Sequence, residues 1–528
     1  MYACFVDFRK AYDSDWREGL FYKLLKNGIS SKFVELIQDM YARLQICIKL
    51  KSGISFPFTS QIGLKQGCNL SPLLFNLFIN DLPKLINETP GGDPPFLSGV
   101  KVSSLLYADD LVLLSHSKDG LQKLINTLKK YTDDWFLDIN MSKTKYMIFS
   151  KGGKYVTQEL LFMGSEQLMQ CDSYCYSGVI FCRSGSFKDA SLALNNKAKG
   201  AMYSLLNNIY KHQTVKVDIM LELFDRMIMP ILLYNSEVWG THFLPQNPNN
   251  NNLLNKGTLT KNISEITQTK FLKSVLKIPS RTSNWAVNAE TGRYPVATKV
   301  FKLMIKYLFH LNKNQSHIIR AALQTSILLD SQGKKSWFSF VKRVIKFLSF
   351  DHLLYTSDLR EVYLHLAKLG SSINKAYSIV WNKERGDLSK GKLDILKSIK
   401  TDFGKESYLD YINVPDYRSD LTKMRVSAHK FPIETDRYLN IPREKRCCPL
   451  GCQKVGDELH YALHCDHPSI KKLRFYILNY FVNLNPTFKN IKDREQLKII
   501  LNPPNPEAAH LVGKFCYKVQ RLFNKITY

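Results

Sequence analysis

Hydrophobic and polar residues follow two different periods along the chain. In the first 185 residues, apolar runs suited to strands, such as residues 2–6, lie between stretches where apolar residues recur every three or four positions, as in residues 20–25. From about residue 190 onward the helical period dominates. The pattern therefore predicts an α/β domain followed by a mostly helical region.

One strand-like stretch carries two acidic residues at its centre. Residues 104–115 read SLLYADDLVLLS, so apolar positions flank Asp109 and Asp110 on both sides. This pattern predicts a hairpin with the two acids at its turn, a position that aspartate favours. Carboxylates held at a strand end also suit a hard cation such as Mg²⁺. A third acid elsewhere in the chain is needed to favour the metal site over a plain turn.

The third acid is Asp7, which ends the apolar run of residues 2–6. If this run is a strand beside the hairpin, three carboxylates converge at one point. Two-metal phosphoryl transfer needs such convergence, because one cation activates the attacking hydroxyl and the other neutralises the leaving pyrophosphate.

A glycine-punctuated loop lies between these acids. Residues 61–72 read QIGLKQGCNLSP and lead into a helix that the pattern predicts over residues 71–85. Glycine lets a ligand approach the backbone closely, and Gln66 offers hydrogen bonds to a base or sugar edge. The loop therefore suits nucleotide binding, although such loops before helices are common.

The overall charge favours a polyanionic partner. Lysine and arginine outnumber aspartate and glutamate by 74 to 46, which gives a formal net charge of +28. A globular chain of this charge most often binds nucleic acid. No apolar run reaches the roughly 18 residues that span a bilayer, and the start does not resemble a secretory signal. We therefore expect no membrane association.

Cysteine and histidine cluster near the C-terminus. Residues 446–465 read RCCPLGCQKVGDELHYALHC, whereas the other cysteines are scattered. Thiolates and imidazole in a tetrahedral set favour Zn²⁺. The predicted ligands are Cys448, Cys452, His460 and Cys465. Cys447 is an alternative to Cys448, His464 is an alternative to His460, and a cluster of unmetallated thiols is a further possibility.

Several motifs together resemble a known family. FVDFRKAYD (residues 5–13), GLKQGCNLSP (63–72) and YADD (107–110) resemble three successive polymerase motifs of reverse transcriptases, in the form found in non-LTR (LINE-type) retrotransposons. NMSKTK (140–145) resembles the next motif, and YCYSG (174–178) resembles the primer-grip turn. PILLYNSEVWG (230–240) and GRYP (292–295) are similar to segments that follow the palm in such elements. Asp15 departs from the family pattern, which usually has an apolar residue there.

The resemblance implies roles for individual residues. Asp7 and Asp109 would be the main metal ligands, and Asp110 would complete the catalytic triad. The implied nucleotide-binding residues are Phe8 through its carbonyl, Tyr12 as a steric gate, Gln66, Gly67, and Lys143 as a proton donor to pyrophosphate. A plain surface lysine is the alternative for Lys143. Asp13 is expected to be a helix N-cap.

The resemblance also implies the architecture. The expected fold is an α/β polymerase palm of the right-hand reverse transcriptase type, followed by a mostly α-helical thumb and C-terminal extension. The expected divisions are a palm at residues 1–185, a helical thumb-like region at 186–300, a helical extension at 301–446, a CCHC-type zinc knuckle at 447–475 and a basic helical tail at 476–528. The chain is expected to be the C-terminal part of such an element, without the endonuclease and fingers regions.

The expected function is RNA-directed DNA polymerisation, which adds deoxynucleotides to a primer 3′-hydroxyl. Its cofactors would be Mg²⁺ or Mn²⁺ for catalysis and structural Zn²⁺. Its partners would be an RNA template, a DNA primer or target and deoxynucleoside triphosphates. The resemblance also implies an intracellular location, in the nucleus. Two alternatives remain open: a noncatalytic nucleic-acid-binding remnant of such an element, and an intron-maturase-like RNA-binding protein. The pattern does not determine the oligomeric state.

Overall fold

The computed structural model describes residues 1–210, 215–245, 253–354, 359–387 and 393–526. The chain divides into two compact units. The first unit comprises residues 1–190 and 311–336, and the second comprises residues 191–310 and 337–528. The finer division into thumb, extension, knuckle and tail stays a prediction.

Within the described residues, the strands lie in the first unit. They are β1 (Tyr2–Asp7), β2 (Gln45–Ile46), β3 (Lys49–Leu50), β4 (Gly53–Ile54), β5 (Phe58–Thr59), β6 (Phe96–Leu97), β7 (Val100–Lys101), β8 (Ser104–Tyr107), β9 (Asp110–Ser115), β10 (Lys145–Ile148), β11 (Phe162–Met163), β12 (Glu166–Gln167), β13 (Met169–Gln170), β14 (Ser173–Tyr176) and β15 (Val179–Cys182).

Helices occur in both units. They are α1 (Arg17–Lys26), α2 (Ser31–Ala42), α3 (Ser71–Ile79), α4 (Leu82–Asn87), α5 (Lys118–Asp134), α6 (Lys188–Tyr210), α7 (Val217–Leu223), α8 (Met229–Leu233), α9 (Ser236–Trp239), α10 (Lys256–Leu259), α11 (Ile263–Val275), α12 (Asn284–Thr291), α13 (Val296–Lys313), α14 (His317–Ser331), α15 (Trp337–Phe347), α16 (Leu359–Asp387), α17 (Asp394–Ile399), α18 (Tyr408–Tyr411), α19 (Pro415–Arg425), α20 (Pro432–Thr435), α21 (Pro468–Leu484), α22 (Asp493–Leu501) and α23 (Pro506–Ile526).

A five-stranded sheet forms the centre of the first unit, in the order β13-β10-β1-β9-β8. The central strand β1 pairs antiparallel with both β9 and β10. Cys4 and Val6 face one hydrophobic core, and Ala3 and Phe5 face another on the opposite side. Because both faces of β1 are covered, the strand reads as a continuous apolar run rather than an alternating one.

The two faces of the sheet are covered by different elements. Helix α5 contributes an apolar stripe that includes Leu121, Leu124 and Leu128 to the core of Cys4 and Val6. The β14–β15 hairpin covers the other face, where the ring of Tyr174 stacks on Phe5 at a centroid distance of 4.4 Å. This second contact places the predicted primer-grip turn beside the strand that ends at Asp7.

The predicted helix over residues 71–85 is wrong in one respect, because the structure has two shorter helices there, α3 and α4. Pro83 lies in the first turn of α4. Proline has no N–H group and disfavours helical backbone at the residue before it, so a helix ends before it and a new one begins. The hairpin predicted over residues 104–115 is confirmed by β8 and β9.

The second unit is helical in its described residues, and a charged network lies in its interior. Arg425 is completely buried and donates from Nε to Glu290 at 2.9 Å. Its Nη2 lies 2.5 Å from Glu406. Such a buried group is tolerable only when its donors are satisfied. No helix of the described residues combines the length and apolar character that a bilayer-spanning segment needs.

Candidate active site and metal cluster

The three predicted catalytic acids lie at one end of the central sheet. The antiparallel register of β1 and β9 sets Asp7 directly opposite Asp110. Cβ atoms of directly opposite residues are about 4.5–5.5 Å apart. Asp109 occupies the two-residue turn between β8 and β9, next to Ala108 with φ +51°. The sheet register thus brings together residues that are about a hundred positions apart in the sequence.

The backbone around Asp7 is anchored by the segment that resembles the fourth polymerase motif. Asp7 N–H donates to Thr144 Oγ1 at 3.2 Å, and Asn140 N–H donates to the Asp7 carbonyl at 2.8 Å. Lys143 lies in the same segment, with its Nζ 3.4 Å from Asp7 Oδ2. Lys143 is mostly exposed, so its ammonium group remains accessible to a ligand.

The acids create an excess of negative charge. Burial raises the pKa of Asp110, and the neighbouring Asp109 and Asp7 raise it further. Burial, Asp7 and Asp110 together raise the pKa of Tyr174 to about 12. A carboxyl set that repels its own ionisation is stabilised by cations, and oxygen donors are the ligands of Mg²⁺ and Mn²⁺. The donor set therefore fits divalent metal ions.

Apart from Lys143, the residues predicted to bind a nucleotide lie in two segments that are joined by a hydrogen bond. The half-buried Tyr12 packs on Phe75 at a ring-centroid distance of 5.0 Å, and burial, then Asp109, raises the pKa of its hydroxyl. Gln66 Nε2 donates to Asp13 Oδ1 at 2.7 Å, which ties two of the polymerase-like motifs together. Gly67 is exposed in the same loop, with φ +76°.

The expectation that Asp13 is a helix N-cap is wrong. Helix α1 begins at Arg17, and the residue at its N-cap position is Trp16. The Asp13 carboxylate instead accepts from Gln66. The local sequence could not reveal this contact, because the two residues are 53 positions apart. Phe8, whose carbonyl was expected to face a metal, is buried and forms a β-bridge with Ile139.

Arg17 was not predicted to take part in the site, yet it holds the Gly-rich loop in place. Its guanidinium is buried and donates to the carbonyls of Gly63 at 2.9 Å and Ser60 at 2.6 Å. Gly63 N–H donates to the carbonyl of Asp15 at 2.9 Å. A single arginine at the start of a helix carries no sequence signal for this role.

Asp15, where the family pattern has an apolar residue, is completely buried in the first unit. Neither carboxylate oxygen has a hydrogen-bond partner. Burial raises the pKa of Asp15 to about 7, although Lys23 acts in the opposite direction. The buried carboxyl group of Asp15 is therefore a destabilising feature of the first unit.

The second unit brings four cysteine and histidine side chains together. One ligand atom from each of Cys448, Cys452, His460 and Cys465 lies within 4.8 Å of the others. The sulfur atoms of Cys452 and Cys465 are 3.6 Å apart. The two alternates lie outside this group: Cys447 is exposed, and His464 Nε2 is 2.8 Å from Asp493.

Local backbone geometry separates the two adjacent cysteines. Cys447 bridges Val455, and Cys448 N–H donates to the Lys454 carbonyl at 2.7 Å. Successive side chains in extended backbone point in opposite directions, so one thiol can face the cluster while its neighbour faces solvent. Gly451, with φ +90°, makes the turn that returns the chain to Cys452.

The environment of His460 fits a metal ligand. The side chain is 4% exposed, and neither ring nitrogen has a hydrogen-bond partner. Burial lowers the pKa of His460 to about 4, so the ring is neutral near pH 7. A neutral imidazole beside three thiols matches the ligand chemistry of Zn²⁺, and coordination would satisfy one of the two orphaned nitrogens.

Comparisons with known proteins agree with the geometry of the first unit. Residues 1–180 match the family described as reverse transcriptase (RNA-dependent DNA polymerase). The chain is 23% identical over 328 residues to a probable RNA-directed DNA polymerase from transposon BS of Drosophila melanogaster. The aligned region covers 61% of this chain and 34% of that protein.

Two further relatives come from other mobile elements. The chain is 24% identical over 244 residues to the RNA-directed DNA polymerase from mobile element jockey of Drosophila funebris, covering 45% of this chain and 26% of that protein. It is 27% identical over 194 residues to a Pol polyprotein from the type-1 retrotransposable element R2 of Nasonia vitripennis, covering 34% and 18%. The chain thus spans about a third or less of the length of these relatives. Residues 1–180 are thus similar to the reverse transcriptase family, and the relatives of the chain carry names of polymerases and polyproteins from mobile elements.

Proposed function

We propose that this chain is an RNA-directed DNA polymerase that adds deoxynucleotides to a primer 3′-hydroxyl on an RNA template. The observation that carries the proposal is the register of β1 and β9, which sets Asp7 opposite Asp110 beside the turn that holds Asp109. The match of residues 1–180 to the reverse transcriptase (RNA-dependent DNA polymerase) family supports the same reaction.

In this proposal Asp7, Asp109 and Asp110 hold two divalent cations, Mg²⁺ or Mn²⁺. When bound, the cations activate the primer hydroxyl and neutralise the leaving pyrophosphate. The protein positions the groups around them. Lys143, 3.4 Å from Asp7, is placed to donate a proton to the pyrophosphate.

The neighbouring loops would select and orient the nucleotide. The ring of Tyr12, fixed against Phe75, would exclude a ribose 2′-hydroxyl by steric contact. Gln66 and Gly67 lie in the loop tied to Asp13, where Gln66 can reach a base or sugar and Gly67 leaves the backbone open. The backbone carbonyl of Phe8 follows Asp7 directly and would add an oxygen ligand.

The proposed partners are an RNA template, a DNA primer or target and deoxynucleoside triphosphates. The formal charge of +28 supports binding of these polyanions. The nucleus, where a chromosomal DNA target would be found, is the proposed location.

Primer extension tests the proposal directly. The protein is given an RNA template, an annealed DNA primer, deoxynucleotides and Mg²⁺, and is compared with the Asp109→Asn, Asp110→Asn double variant. Asp39→Asn is the matched control, because Asp39 is an exposed acid on α2. We expect extension by the protein and by the control, and a loss of about a thousandfold in the double variant, since the metal ions contribute several kcal/mol to the transition state.

The opposite results identify the rival functions. If the double variant extends primers as well as the control does, these acids are not the metal ligands. If the unmodified protein and the double variant both fail to extend primers but both bind primer–template in a salt-sensitive manner, the chain is a noncatalytic nucleic-acid-binding protein.

We further propose that Cys448, Cys452, His460 and Cys465 bind one structural Zn²⁺. The two orphaned ring nitrogens of the buried His460 support this assignment. The site would contribute folding energy to the segment around it rather than chemistry, because all four ligand positions come from the protein.

A further inference from the structure

A groove lies between α21 and α23 in the second unit. None of the four residues of the cysteine cluster lines it. Its volume is about 780 Å³, within the range that accommodates a small organic ligand or a few nucleotide groups. The lining combines basic and aromatic side chains, among them Lys472 and Tyr476 from α21 and Lys514, Phe515, Lys518 and Arg521 from α23. The lining includes no aspartate or glutamate.

The cations of α23 form a row along the groove. Lys514, Lys518 and Arg521 are spaced by four and three residues, so they share one face of the helix. At 1.5 Å per residue the row is about 10 Å long. A row of this length can contact successive phosphates of one nucleic-acid strand.

These cations are available to an anionic ligand. Lys472, Lys514 and Lys518 are exposed, and none of them takes part in an ion pair among the described residues. Arg521 also borders a neighbouring hollow that contains Asp416 and Asp420, and Asp416 is paired with Lys277 Nζ at 3.3 Å. The Asp420 carboxylate is already paired with Lys423 Nζ at 2.7 Å. The groove therefore retains an uncompensated positive charge.

Aromatic rings give the groove a second binding mode. Phe515 and Ile477 are buried and form its apolar floor, whereas Tyr476 is 56% exposed at its edge. The Arg521 guanidinium lies 4.9 Å from the ring centroid of Tyr517, also in the lining. Cations beside an accessible ring such as that of Tyr476 are typical of surfaces that bind unpaired nucleotides, because a base can stack on the ring while its phosphates meet the cations. A duplex offers phosphates but keeps its base faces covered.

We propose that the α21–α23 groove binds single-stranded polynucleotide. The row of Lys514, Lys518 and Arg521 contacts successive phosphates, and Tyr476 stacks on one base. This binding is separate from the proposed polymerase chemistry, since it uses none of the carboxylates of the first unit.

Fluorescence anisotropy of the full chain with labelled 12-nucleotide oligouridine and oligothymidine tests the proposal. The groove variant is the double substitution Lys514→Gln, Lys518→Gln. The control variant is the double substitution Lys489→Gln, Lys492→Gln, which removes two exposed lysines of the same unit outside the groove. We expect only the groove variant to change the slope of log affinity against log salt concentration. The slope should become shallower by about 1.4, because two phosphate contacts of a single strand are lost. We expect Tyr476→Ala to weaken binding about fivefold or more. Phe475→Ala, which removes an exposed neighbouring ring outside the lining, should leave affinity unchanged.

Photocrosslinking locates the ligand on the protein. RNA and DNA oligonucleotides that carry a 5-iodouracil base are tested separately, and we expect a crosslink to the peptide that contains Tyr476. Whether RNA, DNA or both form this crosslink identifies the sugar preference. Equal weakening by the two lysine pairs would overturn the proposal, because net charge alone would then explain binding. Competition by polyglutamate as effective as that by oligonucleotide would also overturn it. Asp109→Asn, Asp110→Asn should retain groove binding, so a failed polymerase proposal and a failed groove proposal give different results.

Discussion

The carboxylate cluster and the cysteine cluster are both candidate metal sites, yet the protein surrounds them in opposite ways. Asp109 is exposed, and Asp7 and Asp110 are partly exposed at the end of a sheet. In the cysteine cluster, Cys448, His460 and Cys465 are buried. The carboxylates remain open to water and to a substrate, whereas the thiols and imidazole are enclosed by the fold.

This difference separates a site suited to exchange from a site suited to stability. Hard cations on open carboxylates keep positions for water and substrate oxygens, as phosphoryl transfer requires. Soft ligands that fill a tetrahedron leave no open position and link binding energy to folding. Removing a ligand should therefore change catalysis in the first unit and folding in the second.

The largest effect is expected at the cysteine cluster. If the proposed zinc site is right, Cys452→Ser should bind no zinc and lose the hydrogen-exchange protection of residues 446–475. The expected cost is several kcal/mol, because structural zinc contributes its binding energy to folding. The zinc content per chain measures metal binding, and hydrogen-exchange mass spectrometry measures the loss of protection. Cys447→Ser is the matched control, since Cys447 is exposed outside the group. Retention of zinc by Cys452→Ser would contradict the assigned ligand set.

Glycine substitutions in the loop near the carboxylates should have the next largest effect. A Cβ on Gly63, which has φ +81°, would lie 2.3 Å from the Asp13 carbonyl oxygen, and Gly63→Ala should cost about 2–4 kcal/mol. Gly67 has φ +76° but no atom within 4 Å of such a Cβ, so Gly67→Ala should cost about 1 kcal/mol. Hydrogen exchange of the β1 and β9 peptides in urea measures the difference. Equal costs would show that the close approach to Asp13 is absent.

Asp15 predicts a pH dependence of the first unit. Its pKa is about 7 in the folded protein, above the ordinary value of 3.8, so the folded state binds the proton more tightly. Stability should therefore fall as pH rises from about 4 to about 7 and level off above that range. Asp15→Asn should remove this fall and stabilise the unit by about 1–3 kcal/mol at pH 8.

The measurement is hydrogen exchange of the β1 peptides while urea unfolds the protein, at pH 5 and at pH 8. Asp39→Asn is the control. Lys23, which lowers the pKa of Asp15, also forms a 2.8 Å ion pair with Asp81, and we expect the variant to retain that pair. A variant with the same pH slope as the unmodified protein would exclude Asp15 as its source.

The smallest effect sharpens the contrast between the two clusters. Without divalent ions, Asp110→Asn should stabilise the first unit by about 0.5–1 kcal/mol, because it removes repulsion between directly opposite acids. The same variant should lose primer extension. Thermal unfolding in EDTA measures the stability change, and a destabilised variant would show that the carboxylate is held by contacts rather than repelled.

The sequence pattern predicted the elements that carry the carboxylates. The continuous apolar run before Asp7 and the apolar flanks of Asp109 and Asp110 predicted a buried strand and a hairpin, and β1, β8 and β9 confirm both. These features depend on local periodicity and turn chemistry, which adjacent residues fix. The Asp13 N-cap and the single helix over residues 71–85 were wrong, because a distant side chain and an internal proline decided them.

The sequence by itself determined the similarity of the first 180 residues to the reverse transcriptase family, the positions of the acids and the composition of the cysteine cluster. Only the tertiary structure placed Asp7 opposite Asp110, set Cys448 and His460 rather than Cys447 and His464 in the cluster, and left Asp15 buried without a partner. The physical reason is that strand register, side-chain direction and burial depend on contacts between residues that are far apart in the chain.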